Sequence, residues 1–197
     1  MYKVVVTGGI GAGKSLVCKI FESMDIPVYD ADSRAKALIV ENANLKKSII
    51  DLLGPESYLE NGDYNRAWVG KKVFADKQKL QALNHLVHPA VHADTAEWFE
   101  EQNSPYALYE AALIIEGNTQ SSFDSLICVT APMELRISRV MKRNQITREQ
   151  VEGRIANQSS DNEKRKYCHF EVINDEQHFL IPQVLKIHEI LKKRSTL

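Results

Sequence analysis

The shortages in this sequence exclude whole classes of protein. No apolar run approaches the roughly 20 residues that span a bilayer, so no membrane role is expected. Only three cysteines occur among 197 residues, Cys18, Cys128 and Cys168. Their odd number and wide spacing suit neither a disulfide framework nor a zinc cluster, and imply a cytoplasmic protein with reduced thiols. Charge of one sign is also missing: 25 lysines and arginines face 26 aspartates and glutamates, a formal net charge of -1. No global positive field therefore draws in nucleic acid or an anionic surface, although a local basic groove is compatible with that balance. Internal repeats and low-complexity segments are absent.

What is present is ordinary for a globular chain, with 44% hydrophobic and 26% charged residues. The length is enough to bury a substantial core in one domain, with or without insertions. The opening residues 1–7 are too short for a signal peptide and run straight into a glycine loop, so they are expected to belong to the fold. A monomer or a weak homo-oligomer is expected.

Short β-branched and aromatic runs alternate with longer amphipathic stretches, the pattern of a parallel sheet with crossover helices. Strands are predicted over 2–7, 27–29, 106–109, 126–130 and 170–174. The Val4-Val5-Val6 run marks the first as a central strand covered on both faces. Helices are predicted over 13–24, 31–40, 132–143 and 176–193, with Pro132 suited to a first helical position. Residues 42–103 break the alternation: several helical segments appear, separated by Gly54-Pro55, Asn61-Gly62-Asp63 and His88-Pro89. Residues 136–167 are helical and rich in arginine. The expected organisation is one domain over 1–197, with core segments at about 1–41, 104–135 and 168–197. A helical insertion fills about 42–103, and a mobile lid about 136–167.

Gly8-Gly9-Ile10-Gly11-Ala12-Gly13-Lys14-Ser15 fits the pattern G-x-x-x-x-G-K-[ST] between a predicted strand and a predicted helix. Glycines open backbone conformations closed to other residues and bring N–H groups against phosphate oxygens. The helix that follows presents its positive end to the anion. Lys14 supplies a point charge at the β and γ phosphates, and Ser15 offers a hydroxyl to Mg²⁺. The motif identifies a ligand class and leaves the chemistry open, because kinases, GTPases and motor ATPases share it.

Acids and arginines downstream carry the rest. In a parallel α/β sheet the carboxyl ends of the strands open on the crevice that holds the loop. Tyr29-Asp30-Ala31-Asp32 ends the second strand there, and alternation lets Asp30 and Asp32 point the same way. Either acid can take a proton from an attacking hydroxyl or hold metal through water; Asp30 is equally suited to capping a helix. Tyr109-Glu110 ends the third strand, where Glu110 can serve as an outer-shell acid to a metal. Glu116, a few residues on, reads as a solvated loop acid. Arg136, Arg139 and Arg143 lie on one face of a predicted helix. Thr147-Arg148-Glu149, Arg154, Gln158, Lys164 and Arg165 continue the basic theme. Cations closing over a transferring phosphoryl group stabilise its charge and exclude water, a role that falls first to Arg139 and Arg143.

With these pieces in order, the chain resembles the dephospho-coenzyme A kinase family over nearly its whole length. The resemblance rests on Thr7-Gly8-Gly9-Ile10-Gly11-Ala12-Gly13-Lys14-Ser15, Tyr29-Asp30-Ala31-Asp32, Leu86-Val87-His88-Pro89-Ala90-Val91 and Leu113-Ile114-Ile115-Glu116. It continues through Arg139 with Arg143, Arg154-Ile155-Ala156-Asn157-Gln158 and Val172-Ile173-Asn174. It implies an α/β chain of the three-layer P-loop nucleoside triphosphate hydrolase type, with a five-stranded parallel sheet, a helical acceptor-binding insertion and a helical lid. It also implies transfer of phosphate from ATP to the ribose 3′-hydroxyl of dephospho-coenzyme A, with Mg²⁺ and no nucleic acid or membrane partner. On that reading Gly9, Gly11, Ala12, Gly13, Lys14, Ser15 and Leu16 bind ATP phosphates, Arg139 and Arg143 belong to the lid, and Asn174 lies near the adenine. Lys14 and Arg139 are catalytic with Asp32, the base on the ribose hydroxyl, and His88 lies with the acceptor.

Three departures from the family pattern stand out. Leu16 replaces the common threonine. Glu110-Ala111-Ala112-Leu113-Ile114-Ile115-Glu116 replaces Asp-x-Pro-Leu-Leu-Phe-Glu. Cys168-His169 replaces Ala-Asp. Two other readings are a kinase of the same architecture acting on a nucleoside monophosphate or sugar acid, and a non-catalytic GTP switch. A switch usually carries Asn-Lys-x-Asp, and no such tetrapeptide occurs.

Overall fold

The valine run at the start of the chain becomes the centre of a parallel sheet. The computed structural model describes residues 1–74 and 76–196; Ala75 in the expected insertion and Leu197 at the end of the expected core lie outside them. Five strands, β1 (Tyr2–Thr7), β2 (Val28–Asp30), β3 (Tyr106–Glu110), β4 (Ser125–Thr130) and β5 (Phe170–Ile173), pair in the order β2-β3-β1-β4-β5. Every pairing is parallel. Val4, Val5 and Val6 are fully buried, and successive side chains leave opposite faces of the strand. Val4 and Val6 join the cluster built from Val17 and Phe21 of α1 (Lys14–Glu22) and Val184, Ile187 and Leu191 of α9 (Leu180–Arg194). Val5 joins Ile114, Ile115 and Leu126 on the other face. Two covered faces explain why β1 shows an unbroken apolar run instead of alternation.

The chain divides into two compact units, Met1–Asp30 with Gln102–Leu197, and Ala31–Glu101. The first holds the sheet, α1 and α9. It also holds α6 (Met133–Asn144), α7 (Arg148–Ile155) and α8 (Asp161–Arg165). Both α7 and α8 open on capping boxes, Thr147 with Gln150 and Ser160 with Glu163, which satisfy backbone N–H groups at each helix start. Ile137 and Val140 of α6 and Val151 of α7 form a small core with Ile10 packed against it.

The second unit is helical: α2 (Ala31–Glu41), α3 (Ala43–Leu53), α4 (Arg66–Phe74) and α5 (Lys77–Glu101). Asn42 ends the first of these and caps the second, its side chain accepting from Leu45 N at 3.0 Å. Leu38, Leu45, Ile49, Tyr58, Val69 and Leu83 form its core. The unit begins at Ala31, earlier than the boundary near residue 42 expected from sequence, because Leu38 and Ile39 pack with α3 and α5. Arg34 fastens α2 to α5 through a two-pronged pair with Asp94, Nε to Oδ2 at 2.9 Å and Nη2 to Oδ1 at 2.7 Å.

His88-Pro89 was expected to separate helices, yet α5 runs through it from Lys77 to Glu101. An interior proline costs about 3 kcal/mol. Leu83, Leu86, Val87, Ala90 and Val91 continue one apolar stripe across the proline into the unit's core. Burying two aliphatic side chains, at about 1.5–3 kcal/mol each, offsets the proline.

Candidate functional site

β1 ends at Thr7, and the chain turns through residues 8–13 into α1. Two glycines show why the turn needs them. Gly13 has φ 98°, and a β-carbon there would lie 2.1 Å from Asn174 Nδ2. That carboxamide, 8% exposed, donates to Ala12 O at 2.8 Å. Gly9 meets a guanidinium instead: a β-carbon would lie 2.0 Å from Arg136 Nη2. The loop is thus gripped by Asn174 after β5 and by Arg136 from α6. Lys14 Nζ donates back to Gly8 O at 3.1 Å, placing an ammonium across the loop. The N-terminus of α1, with its backbone N–H groups, and this ammonium are the kind of groups that can hold an anion.

At the carboxyl end of the sheet, Glu110 pairs in register with Val6 of β1 and with Asp30 of β2. Ser15 Oγ donates to Glu110 Oε1 at 2.8 Å. Burial pushes the Glu110 carboxyl above its ordinary range; the Ser15 hydroxyl and the Lys14 ammonium pull it down, Asp30 pushes it up, and the net direction is upward. The hydroxyl and the carboxylates of Glu110 and Asp30 are hard oxygen donors of the kind Mg²⁺ takes. Among the described residues no group of three or more His, Cys, Asp or Glu could hold a metal.

A raised carboxylate pKa means that the folded protein holds the proton more tightly than the unfolded chain. Stability from Glu110 therefore falls as pH rises from the ordinary carboxylate value through the raised one, and stays low above it. Glu110→Gln keeps an oxygen for Ser15 without the buried charge. It is expected to raise Tm by a few degrees at neutral pH, the gain vanishing below the ordinary carboxylate range. Melts from pH 4 to 8 without nucleotide check this; an equal gain at every pH would refute it.

The arginine stripe of α6 splits three ways. Arg136 is buried, its Nε on Ile10 O at 3.0 Å and Nη1 on Asp161 Oδ1 at 3.3 Å. Arg139 Nη1 donates to Asn174 O at 3.2 Å and Nη2 to Glu176 Oε1 at 3.1 Å. Arg143 is exposed and bonds the adjacent Asn144 at 2.8 Å. Periodicity groups these three and cannot tell which one faces the loop. Glu116 is no solvated loop acid: Oε1 accepts from Lys164 Nζ at 2.5 Å and from Ser159 N at 2.7 Å. Lys164, read from sequence as one more lid cation, is fully buried.

Beside the loop, Leu16, Asn174, Glu176, Phe179, Leu180 and Ile181 line a cleft of about 710 Å³, within the usual range for a small-molecule site. Asp32 and His88 belong to the helical unit. Asp32 is exposed in the first turn of α2, two residues after β2 ends, and His88 is exposed within α5.

Comparison with known proteins gives a consistent result. A family model described as dephospho-CoA kinase (CoaE) matches residues 2–179. A dephospho-CoA kinase of Bacteroides fragilis is 33% identical over 193 residues, 98% of this chain and 94% of the relative. The solved structure of TT1252 from Thermus thermophilus is 30% identical, with a TM-score of 0.86 over 96% of each chain. A dephospho-CoA kinase structure from Campylobacter jejuni, 24% identical, shares the fold at a TM-score of 0.71 over 98% of each chain.

Proposed function

This chain belongs to the dephospho-CoA kinase family, and from that premise we propose that it transfers the γ-phosphoryl group of ATP to the ribose 3′-hydroxyl of dephospho-coenzyme A. The products are coenzyme A and ADP. One observation carries the reading: the loop between β1 and α1 bears Lys14 folded onto Gly8 O, beside a Ser15 hydroxyl held 2.8 Å from Glu110.

Phosphoryl transfer asks the protein for positioning and charge more than for covalent chemistry. The loop from Gly11 through Ala12, Gly13, Lys14 and Ser15 to Leu16 takes the phosphate oxygens, chiefly through backbone N–H groups. Leu16 offers no side-chain hydroxyl to them; its side chain lines the cleft. Lys14 and Arg139 offset the charge that spreads over the γ-phosphate in the transition state. Arg143 joins them from the far end of α6. When bound, Mg²⁺ would neutralise phosphate charge; Ser15, with Glu110 hydrogen-bonded to it, would hold the ion. The cleft lined by Leu16, Asn174 and Phe179 takes the adenine, the aromatic ring offering a stacking face. Asp32 accepts the proton of the ribose hydroxyl, and the helical unit around His88 binds the acceptor. We place the reaction in the cytoplasm, a setting to which three free cysteines are suited.

The test is ADP release with ATP, Mg²⁺ and dephospho-coenzyme A, with adenosine, AMP and gluconate as control acceptors. Release that depends on dephospho-coenzyme A, with coenzyme A confirmed by mass, is expected. Lys14→Met should lower kcat by about 10²–10³-fold, the usual effect of deleting one preorganised electrostatic contact. Release with a control acceptor alone would move the chain to another substrate; an unchanged kcat in Lys14→Met would remove Lys14 from the transition state.

A further inference from the structure

Ile10, the third residue of the phosphate loop, has both backbone polar groups taken by side chains from outside the loop. Its N–H donates to Gln158 Oε1 at 2.8 Å, and its carbonyl accepts from Arg136 Nε at 3.0 Å. Gln158 lies on the connection between α7 and α8, and Arg136 on α6. The guanidinium continues to Asp161 Oδ1 at 3.3 Å, in the first turn of α8. The Ile10 side chain packs against Ile137, Val140 and Val151. The peptide groups on either side of Ile10 are thereby held in orientation.

The cost of this arrangement argues for a purpose. Arg136 is 4% exposed, and a buried charge costs several kcal/mol unless partners compensate. An aliphatic residue would fill the same space without that penalty. The loop also gives up a side chain at Gly9 to admit the guanidinium. In return it gains a fixed positive charge against Gly9 and a hydrogen bond that holds the Ile10 carbonyl in one orientation.

We propose that Arg136 and Gln158 are positioning residues that clamp Ile10, so that the loop is preorganised for a triphosphate and its geometry is tied to Asp161 on α8. The proposal rests on the kinase reading for the identity of the ligand, and on the hydrogen bonds of Ile10 for its mechanism. Neither residue is required to touch the nucleotide; they act through the loop peptide.

The experiment uses the full chain and the variants Gln158→Ala, Arg136→Met and Arg136→Lys. Two readouts apply: calorimetric affinity for ATP without acceptor, and hydrogen exchange at the Ile10 amide without nucleotide. Gln158→Ala and Arg136→Met are each expected to weaken ATP binding about tenfold, the effect of one lost hydrogen bond to a buried group. Their KM for ATP should rise while KM for dephospho-coenzyme A holds. Ile10 exchange should accelerate in Gln158→Ala, and Arg136→Lys should recover part of the ATP affinity. The double variant should lose less than the product of the two single effects, because both act on one residue. Unchanged ATP affinity and unchanged Ile10 exchange in a folded Gln158→Ala overturn the proposal. So does a fall in Tm without change in either readout. Failure of the kinase reading shows separately, as absence of ADP release by the parent chain, and the exchange experiment still decides the clamp.

Discussion

Asp32→Asn should lower phosphoryl transfer by about 10²–10⁴-fold, the usual contribution of a general base, with ATP affinity close to that of the parent. Asparagine keeps the size and hydrogen-bonding oxygen of the side chain but cannot take the proton of a ribose hydroxyl. A purely structural role predicts something much smaller. Asp32 lies in the first turn of α2, where an acid interacting with the helix dipole contributes about 0.3–1 kcal/mol. A stability change of that size leaves the protein folded and its turnover nearly intact. Single-turnover kinetics with saturating ATP separate the two. A rate within threefold of the parent would eliminate Asp32 as the base and turn attention to Asp30, which sits beside Glu110 at the end of β2.

The second large effect concerns stability. Lys164→Met is expected to destabilise the fold by about 3–5 kcal/mol, the cost of stranding one partner of a buried ion pair. Lys164 is fully buried with Nζ on Glu116 Oε1 at 2.5 Å. Burial alone would raise the Glu116 carboxyl, but the bonds from Lys164 and from Ser159 N–H outweigh it and hold it below its ordinary value. A depressed carboxylate contributes stability above its unfolded pKa and loses it as pH falls through the folded one. The gap between parent and variant should therefore be widest near neutral pH and narrow in acid. Adding Glu116→Gln removes the stranded charge, and the double variant should recover much of the loss. Urea titrations at pH 7 and pH 4 are the measurement. A Lys164→Met protein within about 1 kcal/mol of the parent at pH 7 would show that the pair contributes little.

Much of this architecture was legible from local pattern. The first strand coincides with its prediction because Val4, Val5 and Val6 obey a rule about two-sided burial that needs no knowledge of partners. The phosphate loop was legible because its glycines and Lys14 answer to backbone conformation and charge. Legibility failed where a side chain answers to something distant. Pro89 reads locally as a break, and only the stripe running to Val91 against the helical core reveals a continuous α5. Glu116 and Lys164 are 48 residues apart, so neither position announces the other. The last helix begins at Leu180 rather than near Glu176. Asp175 Oδ1 takes the N–H groups of Gln177 and His178, and Glu176 sits at φ 68°, so the chain turns before it coils. Arg136 showed its period and hid its depth. Of the proposed site, the loop and the acids at the strand ends could be named in advance; the clamp on Ile10 could not.

The helical unit leaves the sheet at the end of β2 and returns before β3, and those two strands are parallel neighbours. Topologically it is a crossover connection, the segment any parallel pair requires and for which a single helix commonly suffices. Among the described residues its apolar core shares none with the clusters that cover the sheet. In evolutionary terms such a connection is an exchangeable cassette. Its sequence can drift or lengthen beyond Asp32 while the strand register that presents Asp30 and Glu110 stays in place.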